Sequence, residues 1–334
     1  MTGQAQIVGG STLQLDDADG ASSISITFQR TLRIRDDGKT YPLPPGLGAF
    51  PLRHVRDYAS RVPDGWAERG GVFLPMYQRE AMWLHFAGSP HALKIGIGKV
   101  CAISGQRWRE ELASSPQNYV VTGAQPWLDG IASGKGTIRQ FVAMPLGLGY
   151  TVEGQVTGEE RFGGIQLQCH APLPGRVPSY CDLERCSPSL PACAPALARS
   201  RSGAMGLAAG GRMKQKIYPD RFGIDVWNQL ARTRVFVHIA NSELWRDITG
   251  EVAPPTPVTA RSYSQAGLPW FDLYDERART IDPTSALAGV KSVKELDADK
   301  STLPLQDDAP VDVPIGKKLW WKQPGAVTVD DGDW

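Results

Sequence analysis

Apolar and polar residues alternate along several short segments of the chain. Between Ile24 and Ile34, large apolar side chains recur at nearly every second position, with one slip of register near Thr31. Because successive side chains of a strand point to opposite faces, this alternation predicts a strand with one buried face. Similar alternation, or a compact apolar run of strand length, recurs at 81–86, 92–103, 138–144, 150–156, 165–169 and 235–239.

Glycine-containing turns separate these segments, and helical patterns are short. Residues 242–248 predict a helix that starts at Ser242 and stops at Gly250. Short strands joined by turns are typical of antiparallel sheets. We therefore predict a mainly β fold, with antiparallel sandwich- or barrel-like sheets, a few short helices, and long ordered loops rich in proline and glycine.

Changes in composition along the chain predict its organisation. Small, polar and acidic residues at the start indicate a flexible lead-in, and proline, cysteine and serine dominate a later stretch that is predicted to be a loop. The predicted segments are a lead-in at 1–22, an antiparallel β domain at 23–170, a loop insertion at 171–202, a continuation of that domain or a second small β-rich domain at 203–290, and an extended C-terminal tail at 291–334.

Composition and charge narrow the classes of function. The 334 residues include 36 Gly and 26 Pro, which disfavours a helical bundle. The formal net charge is +1, so we expect no general binding to nucleic acid. The sequence lacks an apolar run long enough to span a membrane and lacks the features of a signal peptide, which leads us to expect a soluble, cytoplasmic chain. An odd count of five cysteines suggests reduced thiols.

Four of the cysteines lie close together in or beside the predicted loop. They are Cys169, Cys181, Cys186 and Cys193. Four soft ligands could bind zinc and order a loop that has no core of its own. Only Cys181 and Cys186 have a spacing typical of zinc sites, so solvent-facing thiols or a disulfide remain the alternatives. Otherwise no cofactor is expected.

No common catalytic motif is present, and the remaining candidates are weak. Neither a Gly-x-Ser-x-Gly elbow nor a His-Glu-x-x-His pair occurs, and the glycine-rich segments lack the spacing of phosphate-binding loops. His85 and His238 lie in apolar strands, and Cys101 lies in a buried-looking strand, where inert core residues are the commoner outcome. A pairing of Cys101 with either histidine would give a nucleophile and a base. Asp129 is a further candidate, as one member of a carboxylate pair.

The end of the chain contains an apolar group among polar residues. Leu319, Trp320 and Trp321 are flanked by lysines in a segment punctuated by proline. Two adjacent tryptophans carry a large apolar area, so we expect them to dock on the same chain or on a neighbouring subunit. The sequence therefore favours a non-catalytic assembly or binding protein that self-associates through its tail, with itself or another protein as partner. The alternatives are a hydrolase-type enzyme with an unrecognised carboxylate and histidine site, and a zinc-stabilised module.

Overall fold

The structure is a computed structural model that describes residues 3–17, 20, 22–44, 46–177, 203–254 and 279–302. Within these residues, seventeen mostly antiparallel strands form one hydrogen-bonded sheet system, which confirms the predicted mainly β fold. The strands are β1 (Ala5–Val8), β2 (Thr12–Asp16), β3 (Ser23–Thr31), β4 (Thr40–Tyr41), β5 (Gly46–Ala49), β6 (Arg53–His54), β7 (Val72–Pro75), β8 (Ala81–Gly88), β9 (Ala92–Ile97), β10 (Val100–Cys101), β11 (Val120–Val121), β12 (Trp127–Leu128), β13 (Gly130–Gly134), β14 (Thr137–Pro145), β15 (Ile165–His170), β16 (Ala204–Lys214) and β17 (Thr233–Ala240).

One ladder of strands runs in the order β1, β2, β3, β8, β14 and β16, and all neighbours in it are antiparallel. Its central pair joins β3 to β8, with Ile24 opposite Gly88 at one end. Alternate residues of β3 face the interior, so Ile24, Ile26 and Phe28 are fully buried, as the sequence pattern predicts.

A second ladder runs in the order β7, β17, β15 and β9, and the short strands β10 and β11 both pair with β9. Only β7 runs parallel to its partner in this ladder. The two ladders meet where the start of β16 pairs with the end of β17, with Met205 opposite Ile239.

The inward faces of both ladders share one hydrophobic core. Phe28 and Leu84 from the first ladder and Ile95, Ile165 and Val237 from the second belong to the same cluster of buried side chains. Each such side chain contributes roughly 1.5–3 kcal/mol when it leaves water. The core therefore fixes the strands of the second ladder, and the candidate site lies at one end of these strands.

The helices are short and lie at the ends of strands. They are Asp64–Arg69, Val152–Thr157, Ser242–Thr249, Ser285–Ala288 and Val293–Asp299, with 3-10 turns at Val55–Tyr58 and Ile224–Val226. None of the helices in the described residues is long and apolar enough to cross a membrane.

At the N-termini of two helices, the structure differs from the sequence-based prediction. The predicted helix near 242 is present and is followed by Gly250 at φ +76°, but Asn241 caps it, because its side chain accepts a hydrogen bond from Leu244 N at 2.7 Å. Residues 150–156 were predicted as a strand. They contain the helix Val152–Thr157, because Thr151 caps it through a hydrogen bond from Gly154 N.

The described residues also bear on the predicted segments. The hairpin of β1 and β2 lies within 1–22 and buries Leu13 and Leu15, so this part of the predicted lead-in is packed against the core. The strands β16 and β17, which follow residue 203, pair with β14 and β15 and lie in the same sheet system.

The start of the predicted tail is helical. Residues Val293–Asp299 form a helix with a capping box, in which Ser292 and Glu295 exchange hydrogen bonds. Most of the predicted insertion and the rest of the predicted tail, 303–334, lie outside the described residues. This also holds for Leu319, Trp320 and Trp321.

Candidate functional site

The candidate catalytic residues from the sequence lie at separate places in the fold. His85 lies on β8 beside Trp83, with ring centroids 6.0 Å apart. Cys101 is buried on β10, where its thiol donates a hydrogen bond to the carbonyl of Asn118 at 3.3 Å. Among the described residues, no hydrogen bond or ring contact joins Cys101 to His85 or His238.

His238 anchors the helix Asp64–Arg69 to β17. Its ring stacks on Trp66 at a centroid distance of 4.7 Å, and its Nε2 lies 2.9 Å from the carbonyl oxygen of Gly70. Burial lowers the pKa of His238 to about 4, so the imidazole is neutral at pH 7. The carbonyl partner requires the proton on Nε2. His238 therefore acts as a structural hydrogen-bond donor.

Asp129 is buried beside one partner. Its backbone N–H donates to Gln215 Oε1 at 3.0 Å, and Gln215 Nε2 donates to Asp129 Oδ2 at 2.7 Å. Burial raises the pKa of Asp129 to about 7, and the hydrogen bond from Gln215 lowers it in part. A second carboxylate does not contact it among the described residues, so the structure shows no acid pair at this point.

The zinc prediction can be followed only at Cys169. This residue is buried on β15, and burial raises the pKa of its thiol well above the ordinary value. Cys181, Cys186 and Cys193 lie outside the described residues. Within the described part of the chain, no group of three or more His, Cys, Asp or Glu side chains is arranged to hold a metal ion.

One contact that resembles a nucleophile and base was missed in the sequence. Ser22 Oγ lies 3.1 Å from His91 Nε2 and 2.8 Å from Asp17 Oδ2. In a catalytic triad the carboxylate contacts the histidine, but here it contacts the serine, and it also accepts the Ser22 N–H at 3.0 Å. Asp17 and Ser22 thus close the turn between β2 and β3, and His91, which is buried, packs on that turn.

A different group of side chains lies at the end of the second ladder where β7 and β15 begin and β9 ends. Arg69, Lys99 and Arg161 surround the half-buried ring of Phe162, and we call these four residues the Phe162 surface. The ring centroid lies 4.6 Å from Arg69 Cζ, 4.7 Å from Lys99 Nζ and 5.7 Å from Arg161 Cζ. Each contact is within the range of a cation–π interaction.

The buried carboxylate of Glu153 positions the backbone of two members of this surface, Lys99 and Phe162. Its carboxylate accepts hydrogen bonds from the backbone N–H groups of Lys99 at 3.1 Å, Phe162 at 3.1 Å and Gly163 at 2.8 Å. The turn before Lys99 needs glycine, since Gly98 has φ +55° and a Cβ there would lie 2.4 Å from the Glu153 carboxyl carbon. One buried carboxylate therefore ties the β9–β10 turn to the loop that carries Phe162.

Burial raises the pKa of Glu153, and its three backbone donors lower it in part. Nearby, Glu160 accepts hydrogen bonds from Gly149 N and Thr151 N, both at 2.8 Å. Both carboxylates are thus directed at backbone donors. Within the described part of the chain, neither forms an ion pair with the Phe162 surface.

Arg69 and Lys99 repel each other. Burial is the main cause that lowers the pKa of Lys99, and the charges of Arg69 and Arg234 lower it further, while Glu153 and Glu110 oppose this. Among the described residues, the head groups of Arg69, Lys99 and Arg161 form no ion pair and no hydrogen bond. The surface therefore carries positive charge that an anionic group could neutralise.

Two further arginines, Arg232 directly before β17 and Arg234 at its start, have a carboxylate partner. Arg232 and Arg234 both form salt bridges with Glu110, and Arg234 Cζ lies 5.8 Å from the ring centroid of Phe236. Arg232 and Arg234 thus differ from the cations of the Phe162 surface, which have no carboxylate partner among the described residues.

Sequence reasoning missed this surface because its members come from distant segments. Arg69 ends a helix, Lys99 lies in a hairpin turn, and Arg161 and Phe162 lie in a loop. One signal was present in the sequence. Phe162 lies between an arginine and two glycines, and a large apolar ring in such a loop indicates that the ring contacts other side chains.

Comparison of the sequence with protein-family models, with curated proteins and with solved structures finds no match.

Proposed function

We propose that the chain is a non-catalytic binding protein of the assembly type, and that its Phe162 surface binds an acidic segment of a protein partner. The observation that carries this proposal is the set of three cations around one ring, without a carboxylate partner among the described residues. A carboxylate placed there would relieve their mutual repulsion, and an apolar side chain could cover the ring.

Magnitudes favour a segment over a single small anion. An exposed ion pair is worth only about 0.2–1 kcal/mol, and an aromatic contact about 0.5–1.5 kcal/mol. Three such pairs and one ring contact add up to at most about 4 kcal/mol, which corresponds to a dissociation constant of about 1 mM or weaker. The site therefore suits a segment with several carboxylates and one aromatic or apolar residue, bound weakly or as part of a larger contact.

A protein segment is favoured over nucleic acid. Nucleic acids need a cationic groove that follows several phosphates, with bases stacked on successive rings. The Phe162 surface offers one ring and three cations that form no ion pair with another described residue, and the formal net charge of the chain is only +1.

The titratable residues support a non-catalytic function. His238 and Cys101 both use their polar atoms to hold backbone carbonyls, and Asp129 is held by Gln215. The contact of Ser22 with His91 is the feature closest to a hydrolase site. Its carboxylate contacts the wrong partner for a triad, so it does not favour that alternative.

Self-association through Leu319, Trp320 and Trp321 is a further part of the proposal. Its support is their composition, since two adjacent tryptophans between lysines are costly to leave in water.

The binding proposal is tested with an acidic hexapeptide that contains three aspartates and one tryptophan, added to the 15N-labelled full chain at low salt. We expect chemical-shift changes at the Phe162 surface and a dissociation constant on the order of 1 mM that rises with ionic strength. The triple variant R69Q/K99Q/R161Q should lose the effect. The matched variant R56Q/K214Q/R246Q removes the same charge from exposed sites elsewhere and should keep it.

A peptide with asparagines in place of the aspartates should not bind. The proposal is wrong if both variants bind the acidic peptide equally. It is also wrong if a single-stranded oligonucleotide binds the Phe162 surface more tightly than the peptide, since that would assign the surface to nucleic acid.

A further inference from the structure

The acidic end of the given sequence has the composition that the Phe162 surface should bind. Asp330, Asp331 and Asp333 lie within four residues, and Trp334 follows them. Residues 303–334 contain six aspartates and three lysines, so this part of the chain is negative and the remainder is positive.

The described chain leads into this segment near the Phe162 surface. The helix Val293–Asp299 is fixed by Asp297, which accepts hydrogen bonds from Arg79 at 2.7 and 2.8 Å and from Tyr150 at 2.7 Å. Directly after the helix, Lys300 donates a hydrogen bond to the carbonyl of Leu148.

Only a short path separates Leu148 from the surface. The next residue, Gly149, donates its N–H to Glu160, and Glu160 immediately precedes Arg161. The last described residue, Thr302, thus lies two residues after Lys300, which is connected by these hydrogen bonds to the loop that carries Phe162. Residues 303–329 provide 27 residues before the first of the three aspartates. A 27-residue chain spans about 29 Å even with random-coil dimensions, which is ample for this path.

We propose that residues 330–334 bind the Phe162 surface of the same chain and compete there with an external acidic segment. This inference rests on the proposed function of that surface. Aspartates would pair with Arg69, Lys99 and Arg161, and Trp334 would cover Phe162.

Binding within the same chain is favoured over binding to a second copy, because the tethered segment has a higher effective concentration at the surface. A linker of this length gives an effective concentration in the millimolar range, which matches the expected dissociation constant of the surface. In a solution of the protein at micromolar concentration, the segment of a second copy is about a thousand times less concentrated than the tethered segment. Intramolecular docking therefore dominates for this weak site.

A zero-length carbodiimide reagent tests the contact, because it joins a carboxylate to an amine only when the two touch. In the full chain at low salt we expect a crosslink from Lys99 to Asp330, Asp331 or Asp333. The variant R69Q/R161Q keeps the Lys99 amine but should lower the crosslink yield several-fold, and R56Q/R246Q should not. In an equal mixture of 14N and 15N chains, the crosslinked peptides should carry a single isotope. Mixed-isotope peptides would assign the segment to a second copy and overturn the proposal.

Competition provides a second readout. The full-length variant D330N/D331N/D333N should bind the acidic hexapeptide two- to ten-fold more tightly than the parent chain. The matched variant D307N/D308N/D312N should bind it as the parent does. If both variants bind the peptide like the parent and no crosslink forms, the inference fails while the proposed function stands. If neither the parent nor D330N/D331N/D333N binds the peptide, the proposed function fails as well.

Discussion

Buried side chains take over backbone hydrogen bonds where strand pairing is interrupted. Gln140 donates to the carbonyl of Leu32 at 2.8 Å and accepts from Ile34 N at 2.7 Å, so it extends the sheet where β3 has ended. Gln215 likewise accepts the backbone N–H of Asp129, and its amide nitrogen donates to the Asp129 carboxylate. Such residues satisfy polar groups that would otherwise be buried without a partner, and this explains why glutamines are found inside this fold.

At Asp129 this arrangement carries a cost that depends on pH. Its pKa is raised to about 7 in the folded state, above the ordinary value of 3.8, so the folded chain holds the proton more tightly than the unfolded chain. The contribution of this group to stability is therefore fully present below pH 4 and is lost as pH rises through 7. At pH 8 the folded state contains a buried charge.

We therefore expect Asp129→Asn to stabilise the protein at pH 8 by on the order of 2 kcal/mol, and by less at pH 5. The amide oxygen can still accept the hydrogen bond from Gln215. Urea unfolding of both proteins at the two pH values measures the difference, with Asp225→Asn as the control at an exposed site. An equal effect of Asp129→Asn at pH 5 and pH 8 would show that the carboxyl does not titrate in this range.

At the scale of elements, the Phe162 surface depends on a contact between a hairpin turn and a loop. The turn alone would not fix Lys99, because only two residues form it. The loop alone would not fix Phe162, because the next residue is the conformationally free Gly163. The Glu153 carboxylate joins them through three backbone donors. A hydrogen bond to a charged group contributes roughly 1.5–3 kcal/mol, so this junction is a strong local constraint.

Glu153→Ala should destabilise the protein by about 2–4 kcal/mol, because three backbone donors lose their acceptor. It should also weaken binding of the acidic peptide, although no cation has been removed. Glu251→Ala is the control, since its exposed pair with Arg53 is worth less than about 1 kcal/mol. Urea unfolding and the peptide titration give the two readouts. Loss of stability with unchanged peptide affinity would mean that Glu153 does not position the surface.

The strands were predictable where one face is buried. Alternation located β3, β8 and β14 because the core selects every second residue. It failed at Val152–Thr157, where apolar residues alternate but the cap at Thr151 decides in favour of a helix. The candidate site was not predictable in the same way, since Arg69, Lys99 and Phe162 are brought together only by pairing between distant strands.

On the scale of the whole molecule, charge and apolar area are divided between the folded body and the end of the sequence. The Phe162 surface of the body carries three cations that have no carboxylate partner among the described residues, whereas residues 330–334 are acidic and residues 319–321 are apolar. Eight residues lie between Trp321 and Asp330, so the two are up to about 30 Å apart along extended chain. The two groups can therefore bind at different places, one on the same chain and one on a neighbour.

Self-association should depend on the tryptophans and not on the aspartates. Burial of Trp320 and Trp321 removes on the order of 200 Å² of each ring from water, worth several kcal/mol in total before ordering costs. We expect the full chain to sediment as an oligomer, and the variant W320S/W321S to sediment as a monomer with an unchanged far-UV spectrum. The variant D330N/D331N/D333N should keep the mass of the parent, because its site lies within one chain. If W320S/W321S keeps the oligomeric mass, or if the parent is already a monomer, self-association through the tryptophans is wrong. If instead the aspartate variant dissociates, the acidic segment and not the tryptophan pair joins the copies.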